Sequence, residues 1–458
     1  MIATVTFGWA SGTWACGNHL QIQVLKAIAD DSGKAAPIEE LRAAGPAALH
    51  ELFALRDQLT KTISGMGGKT WTDDDVRQFE SLQRRISRLD EIIDQVGMQR
   101  YCSRSRLFWH TDFDKAVAAA RASGKPILSL RMLGNLNEDF SCANSRFFRT
   151  TLYANDEISK VLRENFVLHW KSVRPVPKVT IDFGDGRKLE RTITGNSAHY
   201  ILTPDGEVVD CLPGLYGPKA FLRKIGDGLS LARQVAAMSP GDRSARLAEF
   251  HSQQVSFLGE AFARDVARAG RAQDLNALAP QPAQGEQQAS AAPPANAAAG
   301  IARPKQRIEK RLIAAALPLA ADPATLEDEA VWQQIAALHA EEAQIDAASR
   351  ELIRSQNPTA AVAGRLAMTK RIVEDPLVRL VRSLESSIAL DTVKNEYRLH
   401  RQIHGWLADV NYRPGIDELN ERVYAELFLT PSSDPWLGLA PPDVYTALPN
   451  SGVVASRK

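Results

Sequence analysis

Residues 125–171 constrain the fold more than any other stretch of this chain. They read KPILSLRMLG, then NLNEDF, then SCANSRFFRT, then TLYANDEISKVLRENFVLHWK. An apolar strand comes first, then a polar loop with one cysteine, then a helix, then a second apolar strand. That order implies an α/β layer. Cys142 sits where the loop turns into the helix, and Ser145 lies three residues on. A helix N-terminus is where a thiolate is electrostatically favoured.

The flanking sequence extends this layer. Thr111 and Asp112 precede an Ala-rich helix over residues 113–123, and Gly124 stops it. Asn155 and Asp156 cap a helix over residues 157–165, and residues 166–170 form the next strand. Gly184-Asp185-Gly186 joins residues 179–183 to 189–194 as a hairpin. A second hairpin turns at Thr203-Pro204-Asp205-Gly206, and residues 221–237 return to helix.

N-terminal to this layer, residues 37–60 read as one helix. A second helix starts at Thr72, followed by Asp73, Asp74 and Asp75. Val76, Phe79, Leu82, Ile86, Leu89, Ile93 and Val96 form its one-sided stripe, so the pair predicts a helical hairpin. Beyond the layer, a helical tail reaches about residue 271. Residues 279–303 are Pro, Ala, Gln and Gly with almost no large apolar side chain, which predicts a disordered linker. The rest predicts helices. One opens at Thr325 with Trp332, Ile335, Leu338, Ile345 and Leu352 on one side. A long one covers residues 377–407 and another residues 419–429. An irregular closing segment follows, expected to be fastened by Trp436, Leu437 and Leu439. The expected divisions are residues 1–102, 103–237, 238–304 and 305–458.

The central segment resembles the thioredoxin-like superfamily. Trp109, Phe113, Ala116, Ala120, Gly124, Lys125 and Pro126 match the entry of one variety of that family. Cys142-Ala143-Asn144-Ser145 stands at the place of its Cys-x-x-Cys motif. Thr151-Leu152, Asn155 to Ile158, Leu162 and Asn165-Phe166-Val167 keep its register, and the hairpin over 199–206, Gly214 and the helix from Phe221 match its end. The resemblance covers about a quarter of the chain. It implies an α/β fold with a thioredoxin-like core between an N-terminal helical hairpin and a C-terminal all-α domain. Two departures stand out. Ser145 replaces the second cysteine, so no disulfide closes within the motif. Ser197, in Gly195-Asn196-Ser197-Ala198, occupies the place of the family's cis-proline. An extra loop over 134–141 brings Glu138 and Asp139 before the cysteine.

Two functions follow from the resemblance. In one, Cys142 is a single nucleophilic thiol that forms mixed disulfides, with Ser145 donating a hydrogen bond to its sulfur. Asn144, Arg146, Asn196 and Ser197 are then the binding residues beside it. In the other, the core is a non-catalytic scaffold that binds a protein partner through its helical flanks. The altered motif leaves enzyme or non-enzyme open.

Other motifs are weaker. Gly65 to Thr70 looks like the end of a phosphate-binding loop, but Ile63 stands where a glycine is needed and the preceding residues read as helix. Glu396, His400 and His404, four apart, would share one helix face and present three metal ligands; a polar helix face explains them equally. Asp182-Phe183-Gly184 opens a hairpin and is no kinase motif. No cofactor or metal is expected. The chain carries 55 basic and 54 acidic side chains in 458 residues, a net charge of +1. That balance gives no pull toward nucleic acid or an anionic membrane. Cys16, Cys102, Cys142 and Cys211 form no CxxC pair, and no run of about eighteen apolar residues exists. The first 25 residues hold no Lys, Arg, Asp or Glu, so a secretory signal is not expected and a cytoplasmic location is.

Overall fold

The computed structural model describes residues 37–67, 71–193, 195–278, 329–357, 376–437 and 439. The expectations for residues 1–33, for Gly68-Lys69-Thr70, for the linker, for the helix start at Thr325 and for most of the closing segment lie outside these residues. Two compact units follow one another, divided between Trp109 and His110.

The first unit is helical. The single helix expected over 37–60 is instead two, α1 (Ile38–Ala43) and α2 (Pro46–Ser64). Gly45 lies between them at φ +67°, a conformation other residues resist, and Pro46 cannot supply the N–H that a continuous helix would need. α3 (Asp73–Gly97) begins where expected. Thr72 accepts from the Asp75 N–H while the Asp75 carboxylate takes the Thr72 N–H, a reciprocal cap. Leu52, Leu89, Ile93 and Val96 are buried in the core between α2 and α3. A short turn, α4 (Cys102–Ser105), follows; its first N–H is accepted by buried Asp94, whose carboxyl burial pushes up to about 6.

The second unit is of the α/β class. Its sheet runs in the order β1-β3-β2-β6-β7: β1 (Trp109–His110), β2 (Ile127–Leu133), β3 (Val167–Arg174), β6 (Ser197–Leu202) and β7 (Val208–Pro213). β2 and β3 are parallel, with Ile127 opposite Val167; β6 lies antiparallel to β2 and β7 antiparallel to β6. β2, β6 and β7 are buried along their whole length, which fits their near-continuous apolar sequence. β4 (Lys178–Asp182) and β5 (Lys188–Thr192) form a separate two-stranded ribbon.

α5 (Phe113–Ser123), capped by Asp112 and ended by Gly124, precedes β2. Between β2 and β3 run α6 (Ala143–Phe147), its π-wound continuation Phe148–Leu152, and α7 (Asp156–Asn165), capped by Asn155. α8 (Pro218–Ala236) follows β7, and a Cβ at Gly228 would collide with the end of the Ile201 side chain on β6. α9 (Pro240–Leu278) is the longest helix described.

The helix expected from Thr325 through Leu352 is divided. α10 (Glu329–Leu338) is followed by a 3-10 turn, Ala340–Ala343, and then by α11 (Ala347–Gln356), which Asp346 caps. α12 (Pro376–Lys394) passes into a π-wound segment, Asn395–His400, and on into α13 (Arg401–Leu407). α14 (Ile416–Arg422) runs on as a π-wound segment, Val423–Leu427. Leu437 is buried as expected, whereas Trp436 is half exposed. No described helix is long and apolar enough to cross a membrane.

Candidate functional site

Cys142 stands where its sequence placed it, at the mouth of α6 just after the central strand. Its N–H donates to the Leu133 carbonyl at 3.1 Å. Its sulfur caps the helix, accepting from the Ser145 N–H at 3.5 Å. The rest of the arrangement differs from expectation. The Ser145 hydroxyl donates to the Cys142 carbonyl at 2.9 Å, and the thiol donates to the Ser145 oxygen at 3.4 Å. The hydroxyl proton is thus committed to the backbone and does not reach the sulfur. Both residues are 0 % exposed. Arg149 holds the preceding loop by the carbonyls of Leu136 and Asp139, at 3.1 and 3.4 Å. The Glu138 carboxylate bonds Asn135 in that loop. Burial lowers the Arg146 guanidinium, and the neighbouring Cys142 only partly offsets it.

The other expected binding residues are also covered. Asn144 is buried. Ser197 opens β6 opposite Met132 and is fully buried, and no peptide bond among the described residues is cis. The Asn196 side chain donates to Thr430 at 2.9 Å, and its carbonyl accepts from the Tyr424 hydroxyl at 3.1 Å. Arg174 reaches the Asp434 carbonyl at 2.8 Å. The residues following α14 therefore close over Asn196, one of the binding residues expected beside the thiol.

A second polar cluster lies where β7 meets α9 and the α12–α13 rod. Asp210 accepts from His400 Nε2 at 2.9 Å and from the Cys211 N–H at 2.8 Å. His251 Nε2 lies 3.0 Å from the Val209 carbonyl, and its Nδ1 lies 2.7 Å from His404 Nδ1. All four residues are buried, the most exposed being Asp210 at 3 %. Burial lowers His404 well below its ordinary value and His251 to about 4, so both imidazoles are neutral. Burial alone would raise the Asp210 carboxyl; the facing His400 outweighs it, and the group is held well below the usual carboxylate range.

The hydrogen bonds assign the protons. The Val209 carbonyl can only accept, so His251 carries its proton on Nε2 and a lone pair on Nδ1. His404 then donates from Nδ1, which leaves its Nε2 with a lone pair. His400 donates from Nε2 to Asp210. Neither His404 Nε2 nor His400 Nδ1 has a hydrogen-bond partner. A buried polar atom left unpaired costs about 1–3 kcal/mol.

Sequence reasoning found two of these four residues. The His400–His404 spacing was visible, but Glu396 was grouped with them. The π-wound segment interrupts the register that a spacing of four assumes, and Glu396 pairs instead with Lys224 Nζ at 2.8 Å. Asp210 and His251 carry no local signal; only the tertiary fold brings them in. Glu396 lines a neighbouring cleft of about 530 Å³ between α8, α9 and the π-wound segment. The cleft's principal charges satisfy one another: Arg223 forks onto Glu342 at 2.9 and 3.2 Å, and His339 bridges Glu342 and Asp265.

No family model, curated protein or solved structure matches the chain.

Proposed function

We propose that the chain is a thioredoxin-like protein serving as a non-catalytic binding scaffold, and that the hairpin β4–β5 is the surface it offers to a protein partner. The sheet supports the first half of this reading. A parallel pair joined by the Cys142 helix, then an antiparallel pair, then a closing helix is the order the resemblance implies.

The hairpin carries the second half. Residues alternate across it. One face holds Lys178, Thr180, Asp182, Lys188 and Glu190, linked by Lys188–Asp182 and Lys178–Glu190 ion pairs at 3.4 and 3.7 Å. The other holds Val179, Ile181 and Leu189, exposed by 38, 44 and 37 %, with Arg191 opposite Val179; Phe183, just past the strand end and 56 % exposed, lies under the Arg187 guanidinium. A largely apolar face with a basic side chain, left open on a ribbon outside the main sheet, is suited to burial against another protein. The helical flanks offer less. Their stripes are largely spent internally, on Leu52, Leu89 and Ile93 in the first unit and on Ile388, Ile403 and Leu419 in the second.

Thiol exchange through Cys142 needs an attacking sulfur to reach it, and burial blocks that approach. One experiment separates the two readings. Partners are crosslinked in cells and captured on the wild-type chain, on Cys142→Ser and on Ile181→Glu/Phe183→Glu. The scaffold reading expects Cys142→Ser to keep the wild-type partners and the hairpin variant to lose them. Partners kept by the hairpin variant and lost from Cys142→Ser would overturn it in favour of thiol chemistry.

A further inference from the structure

The outer edge of β4 is complementary to itself. We infer that two copies of the chain associate there, β4 of one pairing antiparallel with β4 of the other about a two-fold axis at Thr180. This rests on the reading of the hairpin as the binding surface; it adds the edge that is used and the partner, a second copy.

The backbone sets the register. Within the hairpin the Phe183 N–H donates to the Arg187 carbonyl at 3.1 Å, and the Ile193 N–H to the Pro177 carbonyl at 3.3 Å. Bonded residues alternate along an antiparallel pair, so Val179 and Ile181 turn their N–H and C=O groups toward β5. Lys178, Thr180 and Asp182 turn theirs outward. Among the described residues β4 has no second strand beside it, and all five of its residues are exposed. A row of open donors and acceptors on an edge is a template for another strand. A two-stranded ribbon is marginal by itself, and two more strands make it firmer.

The side chains choose the partner. Charges on an edge strand ordinarily keep other strands away. A two-fold at Thr180 instead sets Lys178 opposite Asp182 of the second copy, and Asp182 opposite its Lys178. Thr180 then meets Thr180, and on the other face Val179 meets Ile181. The charged residues brought opposite one another are the ones whose backbone groups point outward, so hydrogen bonds and charges agree on one register. Asp182 already pairs with Lys188 across the hairpin at 3.4 Å. The row therefore reads Lys188, Asp182, then Lys178 of the second copy, with alternating sign. β5 lacks this property. The same operation about its middle residue sets Glu190 against Glu190, and Thr192 at its end is buried and donates to the Ser141 carbonyl. Joining the β4 edges also puts Leu189, Ile181 and Val179 of the second copy in one row, which doubles the apolar face of the hairpin. Five residues of edge make a small interface, so the dimer is a weak one that forms at high concentration.

The full chain is followed by sedimentation velocity from about 1 to about 500 μM. The expected result is monomer at the low end and dimer at the high end. Lys178→Glu and Asp182→Lys each set like charges opposite one another at both rungs, and each is expected to weaken the dimer at least about fivefold. Mixed in equal amounts they restore opposite charges at both rungs of a heterodimer, and association is expected to recover at least about fivefold over either variant alone. Thr180→Pro removes an outward N–H that the hairpin's own ladder does not use, and is expected to abolish the dimer. If Thr180→Pro disturbs the hairpin, the mixture decides. A wild-type chain that stays monomeric throughout would overturn the inference. So would a dimer indifferent to the single substitutions, or one that they weaken and mixing does not recover. A monomeric chain whose crosslinked partners are lost from Ile181→Glu/Phe183→Glu would refute this inference and leave the scaffold reading standing.

Discussion

Two sealed polar clusters in the second unit invite comparison: the mouth of α6 around Cys142, and the junction of β7, α9 and α13 around Asp210. Both are buried, and both contain groups able to do chemistry. At Cys142 the thiol, the Ser145 hydroxyl and its N–H satisfy one another, while Ser141 Oγ, Arg146 Nε and Ser197 Oγ have no partner. At Asp210 the same bookkeeping leaves two imidazole nitrogens over. Both clusters thus combine burial with unpaired polar atoms. What separates the two is the chemistry of their groups: a thiol capping a helix in one, three imidazoles and a carboxylate in the other.

The comparison can be broken first at its charged member. Asp210→Ala removes the acceptor for His400 and the Cys211 N–H in a site without water access. It is expected to cost about 3–5 kcal/mol, read as a shift in the chemical-unfolding midpoint. A loss below about 1 kcal/mol would mean that the carboxylate is not the centre of the cluster.

His339 sharpens the contrast between partnered and unpartnered imidazoles. The hydrogen bond to Glu342, and then the one to Asp265, outweigh burial and raise its pKa to about 9. An imidazole raised from its ordinary 6.5 stabilises the fold fully below about pH 6.5, and that contribution is lost as pH rises through 9. The wild-type chain is expected to lose roughly 1–3 kcal/mol over that window, allowing for the partial exposure of the pair. His339→Gln is expected to flatten the profile. An unchanged slope in that variant would show that the pair does not form in solution.

The smallest effects belong to the cluster around Cys142. Ser145→Ala deletes one buried bond to the Cys142 carbonyl and the thiol's acceptor, and is expected to cost about 1–2 kcal/mol. Cys142→Ser keeps a good helix cap of similar size and is expected to stay within about 1 kcal/mol of wild type. A larger loss from Cys142→Ser than from Ser145→Ala would mean that the sulfur itself holds this region together.

Much of the frame was legible because its signals are local. Thr72 with Asp75, Asp112 with Gly124, and Gly184 with Gly186 each act within a few residues, and the structure uses them as the sequence announces. The cap at Cys142 belongs to the same kind. The helix break at Gly45-Pro46 was also written locally but was overridden by the leucine spacing across it. The covering of Ser197 and Asn196 was not legible. Thr430 and Tyr424 come from more than two hundred residues away. The Asp210 cluster is similar: 190 residues separate Asp210 from His400, and 153 separate His251 from His404. Periodicity can place two histidines on one helix face, but it cannot say which strand will meet them.

The claim that Cys142 is a structural cap rather than a nucleophile is tested most directly by its accessibility. Folded chain is exposed to a small thiol reagent, and modification is read at the Cys142 peptide by mass spectrometry against fully unfolded chain. If the sulfur is reached only when the unit opens, labelling in the folded state is at least about a thousandfold slower than in the unfolded state. Labelling of the folded chain at a rate near that of the unfolded one would contradict the account and return Cys142 to the list of reactive thiols.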